Sequence, residues 1–278
     1  MNILKGLEAA PEDLAALAVR ASPVGLLTVA LQAVGAQPDP WQRRVLASRS
    51  RRLIVIAARQ SGKGSVSAAR ALHLAVTRPG SLTLIVSASE RQARIVLDRM
   101  REMLPFLGED AAGAGDTQRD IRLANGSQIV VLPESSSSLR GWTCDALLVD
   151  EAAYVSEASW HAIVPTTVAR GASILVCTSA GTVDTWCHQI YSRPDLFPEW
   201  ERHTVRAADI SRYDKEFLEQ EQRRLPPAVF ASEYESVFAA GGDAAAFEPL
   251  LIERAFEAGR ETTANPWDMT DLFSSSQE

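Results

Sequence analysis

The chain has 278 residues, of which 46% are hydrophobic and 23% charged, and a formal net charge of −7. That length suits one large α/β domain with an appendage, or two small domains. No apolar run approaches the roughly 18 residues a bilayer span needs, and the acidic balance excludes a surface that is basic throughout, so any nucleic-acid contact must come from local Lys and Arg patches.

The opening MNILKGLEAAPEDLAALAVR carries acids and an amphipathic pattern instead of a basic-then-apolar leader. Cys144, Cys177 and Cys187 are odd in number, and no pair has the close spacing of a zinc knuckle, so buried reduced thiols are expected. Both features point to a cytoplasmic protein without a membrane anchor.

Apolar residues at Leu14, Leu17, Ala18, Leu26, Leu27, Ala30, Leu31 and Val34 predict a helical stretch over 12–34, within an N-terminal segment 1–35. Gly35 and the Pro38–Pro40 pair end it. LIVIA (53–57) reads as a buried strand, followed by a helix from Lys63 to Val76. LTLIVSA (82–88) and Glu90–Met103 repeat the strand and helix signals. Residues 105–118 read as a Gly- and Ala-rich loop, and 121–132 as a hairpin turning on Asn125-Gly126. ALLVDEA (146–152) and SILVCTSA (173–180) are further buried strands, with a helix over about 156–169 between them. Strands alternating with helices imply an α/β fold, a mostly parallel sheet covered on both faces, here over 36–260. The remaining 261–278 is a polar tail ending in SSSQE, expected to be disordered.

AARQSGKGS (57–65) follows a buried strand and opens a helix, the setting in which backbone N–H groups and a helix N-terminus face an anion. In this loop, with Arg59, Gln60 and Ser61 leading into it, Gly62 permits close approach of a phosphate, and Lys63 can reach β- and γ-oxygens. Two residues depart from the G-x-x-x-x-G-K-[ST] pattern. Ala57 stands where the first Gly is usual, and Gly64 replaces the hydroxyl that binds Mg²⁺. Ser65 supplies that hydroxyl only in a shifted loop register; otherwise water takes the coordination place. A loop that merely turns the chain is the competing reading.

A buried strand ending in the adjacent carboxylates Asp150 and Glu151 is costly unless they serve a metal or a reaction. Asp150 is expected near Mg²⁺, and Glu151 is expected to orient and activate an attacking water. Helix capping is the plainer alternative. At a third strand end, Thr178 and Ser179 in CTSAG can hydrogen-bond a γ-phosphate or the water, or simply form the turn. Three phosphate-facing segments at the C-terminal ends of strands fit the rule for ligand sites in open α/β sheets. The constellation reads as a P-loop NTPase of the additional-strand type, binding ATP with Mg²⁺.

The order Trp41-Gln42, ARQSGK, LRG, VDEA, TSAG and EYESVF resembles the ATPase half of tailed-bacteriophage large terminase subunits, over roughly residues 36–250. The resemblance implies an ATPase motor that packages double-stranded DNA into a procapsid, as a homo-oligomeric ring on a portal protein with a small terminase subunit as partner. It makes Gln42 an adenine contact with Trp41 packing beside it, and Arg59 a γ-phosphate sensor or finger in cis. Arg140, in SSSSLRG, becomes the arginine that reaches a neighbouring subunit's ATP. Ser232 stands where the family's QEY-like stretch has Gln, in a segment (230–238) read as an amphipathic helix end with Phe230, Tyr234 and Phe238 on one face.

The family's nuclease needs carboxylates on several strands to hold two metals. Asp268 and Asp271, in the tail, cannot build such a site, so no nuclease activity is expected and that function would be supplied separately. Two arginine groups, Arg43, Arg44, Arg49, Arg51 and Arg52, and Arg91, Arg94, Arg99 and Arg101, could contact duplex phosphates without reading bases, or could form solvated faces. Trp142, Trp160, Trp186 and Trp200 read as packing residues. The alternatives to a packaging motor are another DNA-dependent, helicase-like P-loop ATPase, and a non-hydrolysing nucleotide-binding assembly subunit degenerate at Gly64.

Overall fold

A computed structural model describes residues 11–239 apart from 109–112, 118, 133 and 135–137. Residues 1–10 and the expected tail, with Asp268 and Asp271, lie outside the described residues.

An 8-stranded sheet runs in the order β3-β4-β5-β2-β6-β7-β1-β8. Its strands are β1 (Arg52–Ala57), β2 (Leu82–Ser87), β3 (Gly113–Thr117), β4 (Asp120–Leu123), β5 (Gln128–Leu132), β6 (Ala146–Asp150), β7 (Ser173–Thr178) and β8 (Glu201–Val205). From β5 to β8 all neighbours are parallel, while β3 and β4 form an antiparallel edge. The mostly parallel α/β architecture is therefore present.

Strand pleating explains why these runs are apolar throughout. Leu53, Val55 and Ala57 face one core, and Ile54 and Ile56 face the other. The first core is closed by α1 (Pro11–Ala21), α2 (Pro23–Gln32), α3 (Pro40–Ala47), α4 (Lys63–Thr77) and α5 (Glu90–Met103). The second is closed by α6 (Glu157–Ile163) and α7 (Trp186–Ser192). There Trp160 stacks on Trp186 at 4.0 Å between ring centroids and meets Trp200 at 6.2 Å, a packing role. The helices α8 (Lys215–Arg224) and α9 (Pro227–Glu233) follow β8. No helix among the described residues is long and apolar enough to cross a membrane.

Several expectations are corrected. The 12–34 stretch is two helices. Ser22 caps the second, its hydroxyl accepting from Gly25 N at 3.0 Å, and Pro23 opens it, which stops the first. A Cβ on Gly25 would lie 2.0 Å from Ala18 O, so the joint needs that glycine. The expected loop over 105–118 contains β3, whose pairing to β4 is set by the ladder rather than by side-chain pattern. The helix expected to 169 ends at Ile163 and continues as a 3-10 turn over Val164–Thr167, with Pro165 near its start. Phe238 is not on a helical face with Phe230 and Tyr234. The chain leaves α9 at Glu233 and turns through Ser236 at φ 60°, sending Phe238 against His188 and Tyr191 in the second core.

Candidate nucleotide site

The sheet order brings the C-terminal ends of β6, β7 and β1 side by side, with Ile56 opposite Thr178 and Asp150 opposite Cys177. The three motif segments therefore share one rim.

Residues 58–62 turn the chain from β1 into α4. Gln60 (φ 51°) and Gly62 (φ 95°) both take left-handed conformations. Gly62 has a second constraint, since a Cβ there would lie 2.6 Å from Gln42 Nε2. That amide donates to Gly62 O at 3.4 Å, while Gln42 Oε1 accepts from Asp39 N at 2.9 Å in the capping box of α3. Trp41 is buried beside it. The side-chain oxygen of Ser61 is buried without a hydrogen-bond partner among the described residues.

Lys63 begins α4 and is only 6% exposed. Its ammonium donates to Ala57 O at 3.2 Å and Ala58 O at 3.4 Å, and lies 3.8 Å from Glu151 Oε1. The other Glu151 oxygen accepts from Ser179 N at 3.4 Å and faces Ser179 Oγ at 3.5 Å. Glu151 takes a left-handed conformation (φ 48°), which turns the chain off β6 immediately after Asp150. Thr178 Oγ1 accepts from Ala153 N at 3.1 Å and donates to Ser179 O at 2.8 Å, so the end of β7 is tied to the acidic turn. A Cβ on Gly181 would lie 2.7 Å from Ala153 Cβ, which keeps these two turns in close contact.

Asp150 is 9% exposed. Burial pushes its carboxyl up to about 7, the Glu151 charge adds to the push, and Lys63 and Arg99 oppose it. A buried carboxylate short of positive compensation fits a divalent cation held by one protein carboxylate together with substrate phosphates and water. Ser65, the other metal-ligand candidate, accepts a hydrogen bond from Arg99 Nη1 at 3.0 Å. Gly64 lies under the same arginine.

Arg59 is held from the far side. Its backbone N–H donates to Glu233 O at 3.0 Å, and its Nε lies 3.4 Å from Glu233 Oε2. Burial raises the Glu233 carboxyl and the Arg59 charge opposes that rise. Arg140 lies on an exposed turn before Gly141 (φ 82°), with no hydrogen bond or ion pair among the described residues. The structure thus gathers Gln42, Arg59, Lys63, Asp150, Glu151, Thr178 and Ser179 at one rim and leaves Arg140 outside that set of contacts.

Sequence reasoning missed three residues. Ser211 Oγ donates to Asp39 Oδ1 at 2.8 Å. Arg212 pairs with Asp39 Oδ2 at 2.9 Å and donates to Ser61 O at 2.6 Å. Tyr213 OH donates to Arg59 O. This segment follows β8 and grips both the loop and the start of α3. No motif marks it; the pairing of β8 with β1, seen only in the structure, is what delivers it to the loop.

The family model described as terminase large subunit, T4likevirus-type, N-terminal, matches residues 54–248. The terminase large subunit of Thermus virus P23-45 is 24% identical over 241 residues, covering 74% of this chain and 49% of that protein. The same figures hold for that of Thermus phage G20c. The chain spans about half the length of the curated relatives it matches. Among solved structures, the large terminase ATPase domain of Thermus phage P74-26 superposes with a TM-score of 0.65 at 22% identity, over 75% of this chain and 97% of that one. A large terminase from a thermophilic bacteriophage, in complex with ADP, gives 0.63 at 15% identity, over 72% and 53%. At these identities the superpositions establish the shared fold.

Proposed function

Because the chain belongs to the T4likevirus-type terminase large subunit family, whose N-terminal model it matches over 54–248, we propose that it is an ATPase motor that drives double-stranded DNA into a viral procapsid. The observation that carries this reading is the meeting of Lys63 and Glu151, 3.8 Å apart, across two strand ends. A lysine that leaves loop carbonyls for a triphosphate frees the carboxylate beside it to orient water. Ser179 holds the second Glu151 oxygen, so the carboxylate's direction is set by β7.

The loop N–H groups and Lys63 would cradle the phosphates, Gln42 and Trp41 would border the base, and Asp150 would hold Mg²⁺. When bound, Mg²⁺ would neutralise charge on the β- and γ-oxygens. Thr178 and Ser179 couple the occupied site to the turn after β7. Arg59 acts in cis once it leaves Glu233. Arg140, exposed and without a hydrogen bond or ion pair among the described residues, suits a role in a neighbouring subunit's site, in a homo-oligomeric ring on a portal with a small terminase subunit. The protein would work in the host cytoplasm, with nuclease activity supplied by another domain or chain.

The test is ATP turnover by this chain with and without duplex DNA, with Lys63→Ala as control. DNA-stimulated turnover that vanishes in the control is expected. Nucleotide binding without turnover would instead support the non-hydrolysing assembly subunit.

A further inference from the structure

Gly64 is the residue at which the loop departs most from the pattern of a metal-binding P-loop, and Arg99 explains what occupies the space. A Cβ on Gly64 would lie 3.2 Å from Arg99 Nε and 3.3 Å from Arg99 Cδ, tighter than ordinary van der Waals contact. The guanidinium also donates from Nη1 to Ser65 Oγ at 3.0 Å. One arginine from the C-terminal half of α5 therefore covers both residues at which a loop hydroxyl could face a metal ion.

We infer that Arg99 is a phosphate-binding residue of the nucleotide site, supplying positive charge where residue 64 lacks a hydroxyl for Mg²⁺. The inference rests on the nucleotide reading of the loop and deepens it. A guanidinium carries five donors in a planar fork and a permanent charge, and it pairs bidentately with phosphate oxygens. Arg99 spends one donor on a neutral hydroxyl and pairs with no carboxylate among the described residues. Its helix neighbour Arg101 is, by contrast, paired with Asp98. A side chain at position 64 would require the arginine to give by a few tenths of an ångström, so glycine there leaves room for the guanidinium to lie across the loop. Arg99 thereby separates from the other arginines of α5 as a candidate for contacting DNA.

The experiment is equilibrium titration of the full chain with a fluorescent ATP analogue, in EDTA and in Mg²⁺, alongside melting of the free protein. Arg99→Ala is expected to weaken binding in EDTA by roughly 10- to 100-fold, the range for losing a charge-assisted hydrogen-bonded contact. The loss should be smaller in Mg²⁺, and Arg99→Lys should recover part of it. Gly64→Ser, by pushing the guanidinium aside, should lower the EDTA affinity towards that of Arg99→Ala. If Arg99→Ala melts early, Arg99→Gln, which keeps the stem and a donor for Ser65, replaces it with the same expectation. Equal EDTA affinity in the parent and the arginine variants overturns the inference, as does a Gly64→Ser variant with undiminished EDTA affinity. If the parent binds and Lys63→Ala does not, those results leave the nucleotide reading standing. If the parent binds no nucleotide at all, that reading falls and this inference with it.

Discussion

Glu151 divides its two oxygens between separate elements: Oε1 lies 3.8 Å from the Lys63 ammonium and Oε2 accepts from Ser179 N at 3.4 Å. The carboxylate is thus held between the phosphate loop and the turn after β7. Glu151→Gln keeps the shape and the Ser179 contact but removes the base. Its turnover should fall by at least about 10²-fold with nucleotide affinity nearly unchanged. Single-turnover hydrolysis beside equilibrium binding checks this, and parent-like hydrolysis would remove Glu151 from the catalytic role.

Arg140 is exposed and makes no hydrogen bond or ion pair among the described residues, so its loss should cost the fold little. Arg140→Ala chains should melt like the parent yet fail to hydrolyse ATP when assembled. Mixing them with Glu151→Gln chains should restore part of the turnover, because some interfaces then hold an intact Arg140 and an intact Glu151. Mixed rings that stay silent would place Arg140 outside the neighbouring site.

Arg212 clamps the loop without a route to the reacting atoms, through Asp39 at 2.9 Å and Ser61 O at 2.6 Å. Arg212→Ala should raise the KM for ATP by about tenfold while changing kcat by less, as expected for a lost hydrogen bond that positions a binding loop. Arg212→Lys keeps the charge and loses the fork, so it should recover only part of the affinity. A change confined to kcat would contradict a positioning role.

Asp150 gives the free protein a distinct pH dependence. Its folded-state carboxyl, pushed up to about 7 by burial, lies above the ordinary carboxylate value. The folded state therefore holds a proton that the unfolded state has released, and stability from this group falls as pH rises from about 4 to about 7. Asp150→Asn should be more stable than the parent at pH 8, by on the order of a few kcal/mol, and the gain should shrink towards pH 5. Saturating Mg²⁺ should narrow the gap at pH 8 by stabilising the parent alone. Calorimetry across this range would refute the assignment if the difference between the two proteins did not vary with pH.

Much of this arrangement was legible because the inner strands are apolar on both faces and their ends carry polar residues of unusual kind. LIVIA, LTLIVS and ALLVD could be read as strands directly, and Lys63, Asp150 and Thr178 could be placed at one rim from that alone. Strand β8, ERHTV, was invisible for the opposite reason. It is an edge strand, largely half-buried, and its polar side chains give no apolar run. The Ser22-Pro23 break was present in the sequence as a cap and a helix-opening proline, but the continuing apolar period hid it. Arg99 and Arg212 could not be assigned from local pattern, since each acts on a loop far away in the chain. Arg99 read as one more charge on a basic helix face, and only packing against Gly64 distinguishes it.

The grip of Ser211, Arg212 and Tyr213 on Asp39, Ser61 and Arg59 sets the smallest unit worth engineering. A fragment cut just before β8 would retain every recognisable motif segment from the loop to TSAG. It would nonetheless lose the edge strand that flanks β1, and with it the only side-chain fasteners reaching the loop backbone from beyond that strand among the described residues. Shortening the chain to its signature segments would leave the phosphate cradle without these fasteners. The useful boundary for transplanting this module therefore lies beyond α9, where Glu233 still anchors Arg59.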